Sequence, residues 1–491
     1  LLVSGPVAQE KLGIWVISVI GASLKKIRDD AWSAALSPDD SQIAFTSDNA
    51  DAIWLMNADG SNARAVIKGD SEHRVCCPQW FPKAGRLLYY KWTAGDFASA
   101  VTESRSVDGG DPRLLLPGSR LRDLRFVEAD TLIYSRGELP PNQYDSNLWR
   151  LRIDPATGKP KGARRLTEWT GFDFENLALT ADAKRLVFLR SHDQSDVYTL
   201  DLGKPAAADN LPRRLTLSER YDWPGGWLDN KTVLFDSNRN GSFDIYKQAI
   251  TERDATPLVT GPEEKRDPQL SPDGKWILYL QWPKPEGETP AKSGKLMRIA
   301  ATGGPPEPVL DFNGQPELYL TLPGFACPRA AGASCVIFET EGNEIKVSSF
   351  DPVMGRQKEL RRIPVSRLRF ESLSLSPEGT RIAMSSFDYK EGNVEVFPLA
   401  GGDPMKLSAQ PWAELDFVAW AADGKSLFLS SRSSRGVSVV RLPLAGKAGL
   451  VLKSTWDNCR LVPSPDGRTL ALGPRVDEAN AWMIPSFPAK R

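Results

Sequence analysis

The sequence predicts an all-β protein built as two β-propellers of four-stranded antiparallel blades. Three observations predict it. First, one short unit recurs along the 491 residues: an apolar run, a polar turn of the Ser-Pro-Asp-Gly kind, and further short runs separated by Gly-rich turns. Second, no helical period is sustained anywhere, which leaves strands. Third, a single four-stranded sheet has too little core to stand alone, so its copies must bury their faces against one another.

The clearest copy runs through 270–280 (LSPDGKWILYL), 295–300 (KLMRIA), a turn at Gly303 and Gly304, and 307–310 (EPVL). Pro fixes φ and Asp-Gly accepts the positive φ of a tight turn, so the segment reads as a hairpin. Taken in order, residues 12–29 read as the second half of a unit whose first half is missing. The next has strands at 34–37, 42–46, 53–57 and 63–67, and the third at 77–80, 87–91, 102–107 and 113–116. The fourth has 124–127, 131–135, 147–153 and 163–167, and the fifth 176–179, 185–190, 196–200 and 212–216. The sixth has 223–227, 232–236, 243–248 and 256–259, and the seventh is the copy quoted above. The eighth is degenerate (317–322, 334–339, 344–350, 358–363). The ninth has 373–376, 381–385, 394–398 and 405–407. The tenth has 417–420, 426–430, 438–443 and 449–452, and the last 459–462, 469–472 and 481–484. Trp54, Trp149, Trp276 and Trp482 fall inside these strands and read as packing between blades.

So many units exceed the four to eight blades of one ring, and two rings are required. Units six to eleven make a six-bladed propeller over 212–491. Units one to five make an N-terminal propeller over 1–211 that starts mid-blade, with the link region near 206–212. The chain has no initiator Met and opens inside a unit, so it reads as a piece of a larger protein.

Composition narrows the function. Lys plus Arg (62) balance Asp plus Glu (62), so no large field attracts nucleic acid or an anionic membrane. The longest apolar stretch, 13–22, is too short to span a bilayer, and no membrane insertion is expected. The five cysteines (Cys76, Cys77, Cys327, Cys335, Cys459) form no CxxC pair, and only His73 and His192 exist. No metal site and no cofactor is expected. Cys327 and Cys335 flank a short loop; they form a disulfide in an oxidising compartment or stand as two buried thiols.

Catalytic motifs are missing. There is no GxSxG elbow, HExxH, P-loop, Gly-rich kinase loop, HRD or DFG. His73 and His192 read as loop histidines. The acidic turns supply one or two carboxylates each, short of the six to eight oxygens calcium takes. The paired arginines Arg164-Arg165 and Arg213-Arg214 read as solvated outer strands, with an acid-binding rim as the alternative. Two loops longer than the surrounding hairpins, 137–146 and 281–294, are where binding specificity is expected. Tyr144, Asp145 and Trp282 are the candidate contact residues there.

LSPDGKWILYL and DSNRNGSFDIYKQA resemble the WD40-like PD40 repeats of the TolB-type propeller family, and the resemblance covers nearly the whole chain. The segments PPNQYDSNLWRLRIDPATGKP, PRRLTLSERYDW and PLAGGDPMKLS resemble the C-terminal propeller region of large bacterial multidomain proteins. There the N-terminal partner is a serine/threonine protein kinase joined through a membrane-spanning helix, or a winged-helix regulator. The resemblance implies a non-catalytic sensor or scaffold with a protein or peptide partner. It would be periplasmic beside a membrane-bound kinase and cytoplasmic beside a soluble regulator. The alternatives are a TolB-like envelope component or the propeller part of a prolyl-oligopeptidase-like hydrolase.

Overall fold

The computed structural model describes residues 2–5, 13–18, 24–47, 49–82, 85–94, 96–116, 118, 120–139, 142, 145–154, 157–180, 182, 184–204, 210–284, 291, 293–314, 324–342, 344–364, 371–386 and 392–485. Among them every regular element is a strand, and no helix is long and apolar enough to cross a membrane. The protein is all-β and its sheets are propeller blades.

The turns form as their chemistry demands. The Ser271 hydroxyl donates to Asp273 Oδ1 (2.6 Å) and accepts the Trp276 amide (3.0 Å), while Asp273 Oδ1 also accepts the Lys275 amide (3.1 Å). The same box recurs at Ser37 with Asp39, Thr180 with Asp182, and Ser464 with Asp466. The hydroxyl donors hold the carboxyls of Asp39, Asp182, Asp273 and Asp466 below their ordinary value. Each Asp thus serves its own turn. Among the described residues no group of three or more His, Cys, Asp or Glu could hold a metal.

The chain divides into two compact units. The first comprises Leu1–Ser191, Gly287–Thr289 and Ala479–Arg491; the second comprises His192–Glu286 and Pro290–Glu478. In the first unit a three-stranded sheet (Leu2–Gly5, Gly13–Ile17, Leu24–Asp29) is followed by three four-stranded sheets. These begin at Ala31–Leu36, His73–Trp80 and Leu121–Glu128. Asp173–Leu179 and Leu186–Ser195 form the fifth sheet, with the long strand Thr469–Ile484 hydrogen-bonded alongside. Apolar clusters fill the space between successive sheets, for example Phe81, Leu88 and Leu115 against Leu124, Leu132 and Tyr134.

In the second unit five sheets are drawn from consecutive strands. Their first strands are Asp222–Trp227, Glu264–Leu270, Gly324–Ala326, Glu371–Leu375 and Leu415–Trp420. The sixth sheet is composite. Asn458–Pro463 and the start of Thr469–Ile484 come from the C-terminal side, Tyr198–Asp201 and Arg213–Arg214 from the N-terminal side. Leu470 pairs with Leu200 and with Pro463, so one strand ties both ends of the unit together. Six apolar clusters, one between each neighbouring pair of sheets, run round the unit and close it into a ring.

Several expectations change. The division falls between Ser191 and His192 instead of near 211, because Tyr198–Asp201 pairs with the C-terminal strand Thr469–Ile484, carrying Arg213–Arg214 on its other edge, and not with 173–195. Residues 481–484 are not a strand of the last blade; they continue the strand from Thr469 and belong to the first unit. The opening half-unit has an additional strand at Leu2–Gly5, antiparallel to Gly13–Ile17. The strand expected at 317–322 lies outside the described residues, and Gly324–Ala326 leads that blade. Trp482 is 45% exposed, with Arg190 stacked 3.8 Å from its ring, and is not core.

Candidate functional site

The first strands of all six blades of the second unit line one cavity of about 400 Å³. Each blade faces it with the strand that pairs on one side only, so side chains and backbone edges point at a common axis.

Two features let the strands approach. The first strand of the first blade carries Gly225 and Gly226; a Cβ at Gly225 would lie 2.5 Å from Pro268 Cδ, and one at Gly226 2.8 Å from the Pro268 oxygen. The first strand of the second blade is bulged between Arg266 and Gln269, with Asp267 in the left-handed region (φ 59°). The bulge turns Arg266 toward Asp236 of the first blade and Asp267 toward Arg460 of the sixth.

The result is a charged cluster drawn from three blades. Asp236 is buried; its carboxylate accepts the Asp267 amide (3.0 Å) and faces the Arg266 guanidinium at 3.4 Å. Arg460, from the sixth blade, bonds Asp267. Burial pushes the Asp236 carboxyl up to about 6, with Arg266 opposing the shift. Arg266 also stacks 3.4 Å from the Phe243 ring. Beside the cluster, Trp223 and Phe417 present aromatic faces with ring centroids 6.3 Å apart.

At the other end of the first strands the cavity is bridged. Arg329, following the first strand of the third blade, reaches the sixth blade across the ring. Its guanidinium donates to the carbonyls of Pro463 (2.6 Å) and Ser464 (3.0 Å). Its amide donates to the Pro377 carbonyl of the fourth blade (3.0 Å). The cavity therefore has one end pinned by a side chain and another walled by ion pairs and aromatic rings.

The residues singled out from sequence are elsewhere or differently placed. Tyr144 lies outside the described residues. Asp145 is buried, its carbonyl accepting the Glu138 amide (2.8 Å), and it belongs to the first unit. Trp282 is not a loop residue: it ends the strand Trp276–Trp282, is 3% exposed, and donates from Nε1 to the Gly314 carbonyl (2.9 Å). It is packed edge-on against Phe312 and touches the cavity wall. Cys327 and Cys335 are bonded, and Cys76 and Cys77 form a second disulfide between neighbours. His192 falls in a strand instead of a loop. Arg165 and Arg214 are not free rim cations; they pair with Glu138 (3.0 Å) and Asp196 respectively. Asp236, Asp267, Arg329 and Arg460 were not picked out from sequence. The one available signal was the strand Glu264–Leu270 itself, which carries four charged residues in a row where the equivalent strands Asp222–Trp227 and Leu415–Trp420 are mostly apolar.

No family model matches the chain, and no curated protein sequence matches it. Among solved structures it is similar to TolB from Acinetobacter baumannii at 16% identity, over 64% of this chain and 75% of that one, with a TM-score of 0.26. An oligogalacturonate lyase in complex with manganese aligns at 12% identity over 69% and 82%, TM-score 0.32. A nidogen/laminin complex aligns at 11% over 51% and 90%, TM-score 0.35. The propeller assignment rests on the sheets themselves.

Proposed function

We propose that this chain is a non-catalytic recognition module whose second unit binds a peptide segment or small ligand in its central cavity. The observation that carries the reading is the cavity shared by six first strands, with its Asp236–Arg266 and Asp267–Arg460 pairs beside Trp223 and Phe417. Aromatic faces next to paired charges suit a ligand with both apolar and polar groups. Each carboxylate of the cluster is held by a guanidinium, Asp236 by Arg266 and Asp267 by Arg460, which supports a role in fixing the shape and polarity of a binding cavity.

The PD40-like motifs support a finer reading. The module would serve as sensor or scaffold in a bacterial signalling protein, joined to an effector such as a serine/threonine kinase. The Cys327–Cys335 disulfide supports an oxidising compartment and hence the periplasmic placement.

Selection from a random peptide library on the full chain tests the binding role. Selected peptides are expected to lose affinity about tenfold or more when Phe417→Ala removes an aromatic wall or Arg460→Ala breaks the cluster. Peptides indifferent to both substitutions would sink the cavity as the binding site. Turnover of ester, peptide or oligosaccharide substrates, abolished by the same substitutions, would replace a recognition module with an enzyme.

A further inference from the structure

The cavity of the second unit is barred at one end, and the bar carries a charge. Among the described residues three arginines line the cavity, and two of them stand against carboxylates: Arg266 against Asp236 and Arg460 against Asp267. The third, Arg329, gives its guanidinium bonds to backbone carbonyls: Pro463 (2.6 Å), Ser464 (3.0 Å) and, at the limit of bonding, Pro465 (3.5 Å). A carbonyl accepts a hydrogen bond but does not cancel a charge. Asp466 is in electrostatic reach, yet its carboxylate is engaged in its own turn by the Ser464 hydroxyl (2.7 Å) and the Arg468 amide (3.0 Å).

Arg329 is fixed from three blades. The Cys327–Cys335 disulfide closes the short loop that carries it in the third. The amides of Arg329 and Ala330 both donate to the Pro377 carbonyl of the fourth (3.0 and 3.1 Å), and the guanidinium reaches the sixth. In a ring of six the third and sixth blades stand opposite, so the side chain lies across the axis. It still has exposed surface, and a guanidinium has five N–H donors, more than these carbonyls take. A cation held in place beforehand loses little freedom on meeting an anion.

The bar limits what can bind. A chain running through the ring would have to pass the guanidinium, whereas a chain that stops there meets it end-on. At a peptide's last residue the group in that place is a carboxylate, which matches guanidinium geometry. An N-terminal ammonium would meet like charge. Taking the cavity as the peptide site proposed above, we infer that it receives a peptide's C-terminus, the free carboxylate accepting from Arg329 and the preceding residues lying toward Trp223 and Phe417. No covalent step is involved.

Random N-acetylated hexapeptides, synthesised both as free acids and as carboxamides, are the probes. Those retained by the full chain are identified by mass spectrometry and titrated singly by calorimetry. Free acids are expected to bind about tenfold or more tightly than carboxamides of the same sequence. Arg329→Gln, which keeps donors for the carbonyls, should erase the difference, and Arg329→Lys should restore part of it. The comparison of acid with amide on the wild-type chain needs no variant and decides alone if these fail to fold. Carboxamides that bind as tightly as acids, and are lost on Phe417→Ala, would overturn the C-terminal role and leave the cavity a binding site. Carboxamides bearing Asp or Glu that match the free acids would do the same, by moving the carboxylate to a side chain. An acid preference unchanged in Arg329→Gln would remove Arg329 as its partner and overturn the role too. Peptides indifferent to both Phe417→Ala and Arg460→Ala, or no peptide retained, would overturn the C-terminal role and the cavity together.

Discussion

Asp236 shows how one side chain links packing to pH. Its carboxyl is buried among Arg266, the Asp267 amide and, further off, Arg460, and burial outweighs them to lift it to about 6. An unfolded aspartate titrates near 3.8. The native state therefore holds the extra proton between about 4 and 6, and stability contributed at this group falls as pH rises across that window. Asp236→Asn keeps an acceptor for the Asp267 amide but cannot ionise. Relative to wild type, the variant should gain on the order of 1–3 kcal/mol between pH 4 and pH 7, read from urea unfolding at several pH values. A difference that does not change with pH would remove Asp236 as the titrating group. The turn carboxylates act in the opposite sense. Asp39, Asp273 and Asp466 are held low by Ser donors, so they favour the fold above their unfolded value and cease to do so as pH falls. Their part was legible from sequence, since a Ser two residues before an Asp in a tight turn has only local partners to find. Nothing local to Asp236 announces Arg266, thirty residues on.

At the scale of the element, the inner strand is the unit of construction. Three of these strands carry a Trp that donates from its indole to a carbonyl of the preceding blade: Trp80 to Ala35 (3.1 Å), Trp227 to Val462 (2.8 Å) and Trp420 to Ser374 (3.1 Å). Each bond fixes the register of one blade against the next, where apolar packing alone would permit sliding. Trp227→Phe keeps most of the ring but leaves the Val462 carbonyl without its donor. It should cost about 1–3 kcal/mol in urea unfolding, and a cost near zero would mean that the bond has no part in register. The inner strands also carry the bulges. Ser33, Cys77, Asn176 and Asp267 all sit at positive φ within such irregularities. The hairpins around them follow from alternating apolar residues and turn chemistry, which is why the strand pattern was readable. The bulges are not readable in the same way, because a Ser, a Cys, an Asn and an Asp fill the equivalent place.

For the whole molecule, the strand Thr469–Ile484 is the element on which both units depend. Its first residues pair with Asn458–Pro463 and Tyr198–Asp201 inside the second unit, and its last residues, with Ile484 against Phe174 and Phe188, belong to the first. Truncation after Glu478 should therefore separate the two roles. Residue-resolved hydrogen exchange is expected to show amides of 173–191 losing protection by about tenfold or more, while those of 198–201 and 458–463 keep theirs. Equal loss in both sets would mean that the two halves of the strand are not independent. A sequence reading placed four consecutive strands, 176–216, in one blade because proximity in the chain is the default. The structure takes the last two of them to the C-terminal end of the chain.

The sequence by itself determined the all-β class, the repeat, most of the strand positions and the turns. These depend on alternation, on Pro and Gly, and on Ser–Asp contacts two residues apart. Only the tertiary structure decided which strands share the sixth sheet of the second unit, because ladder hydrogen bonds are made by backbone that is the same in every residue. The candidate site was decided there too. The cavity brings Asp236, Asp267, Arg329 and Arg460 onto one axis from four separate stretches of chain. Each of these residues looks ordinary in its own segment. It is the closing of the ring, and the packing of sheet on sheet, that removes them from water and aims them at one another.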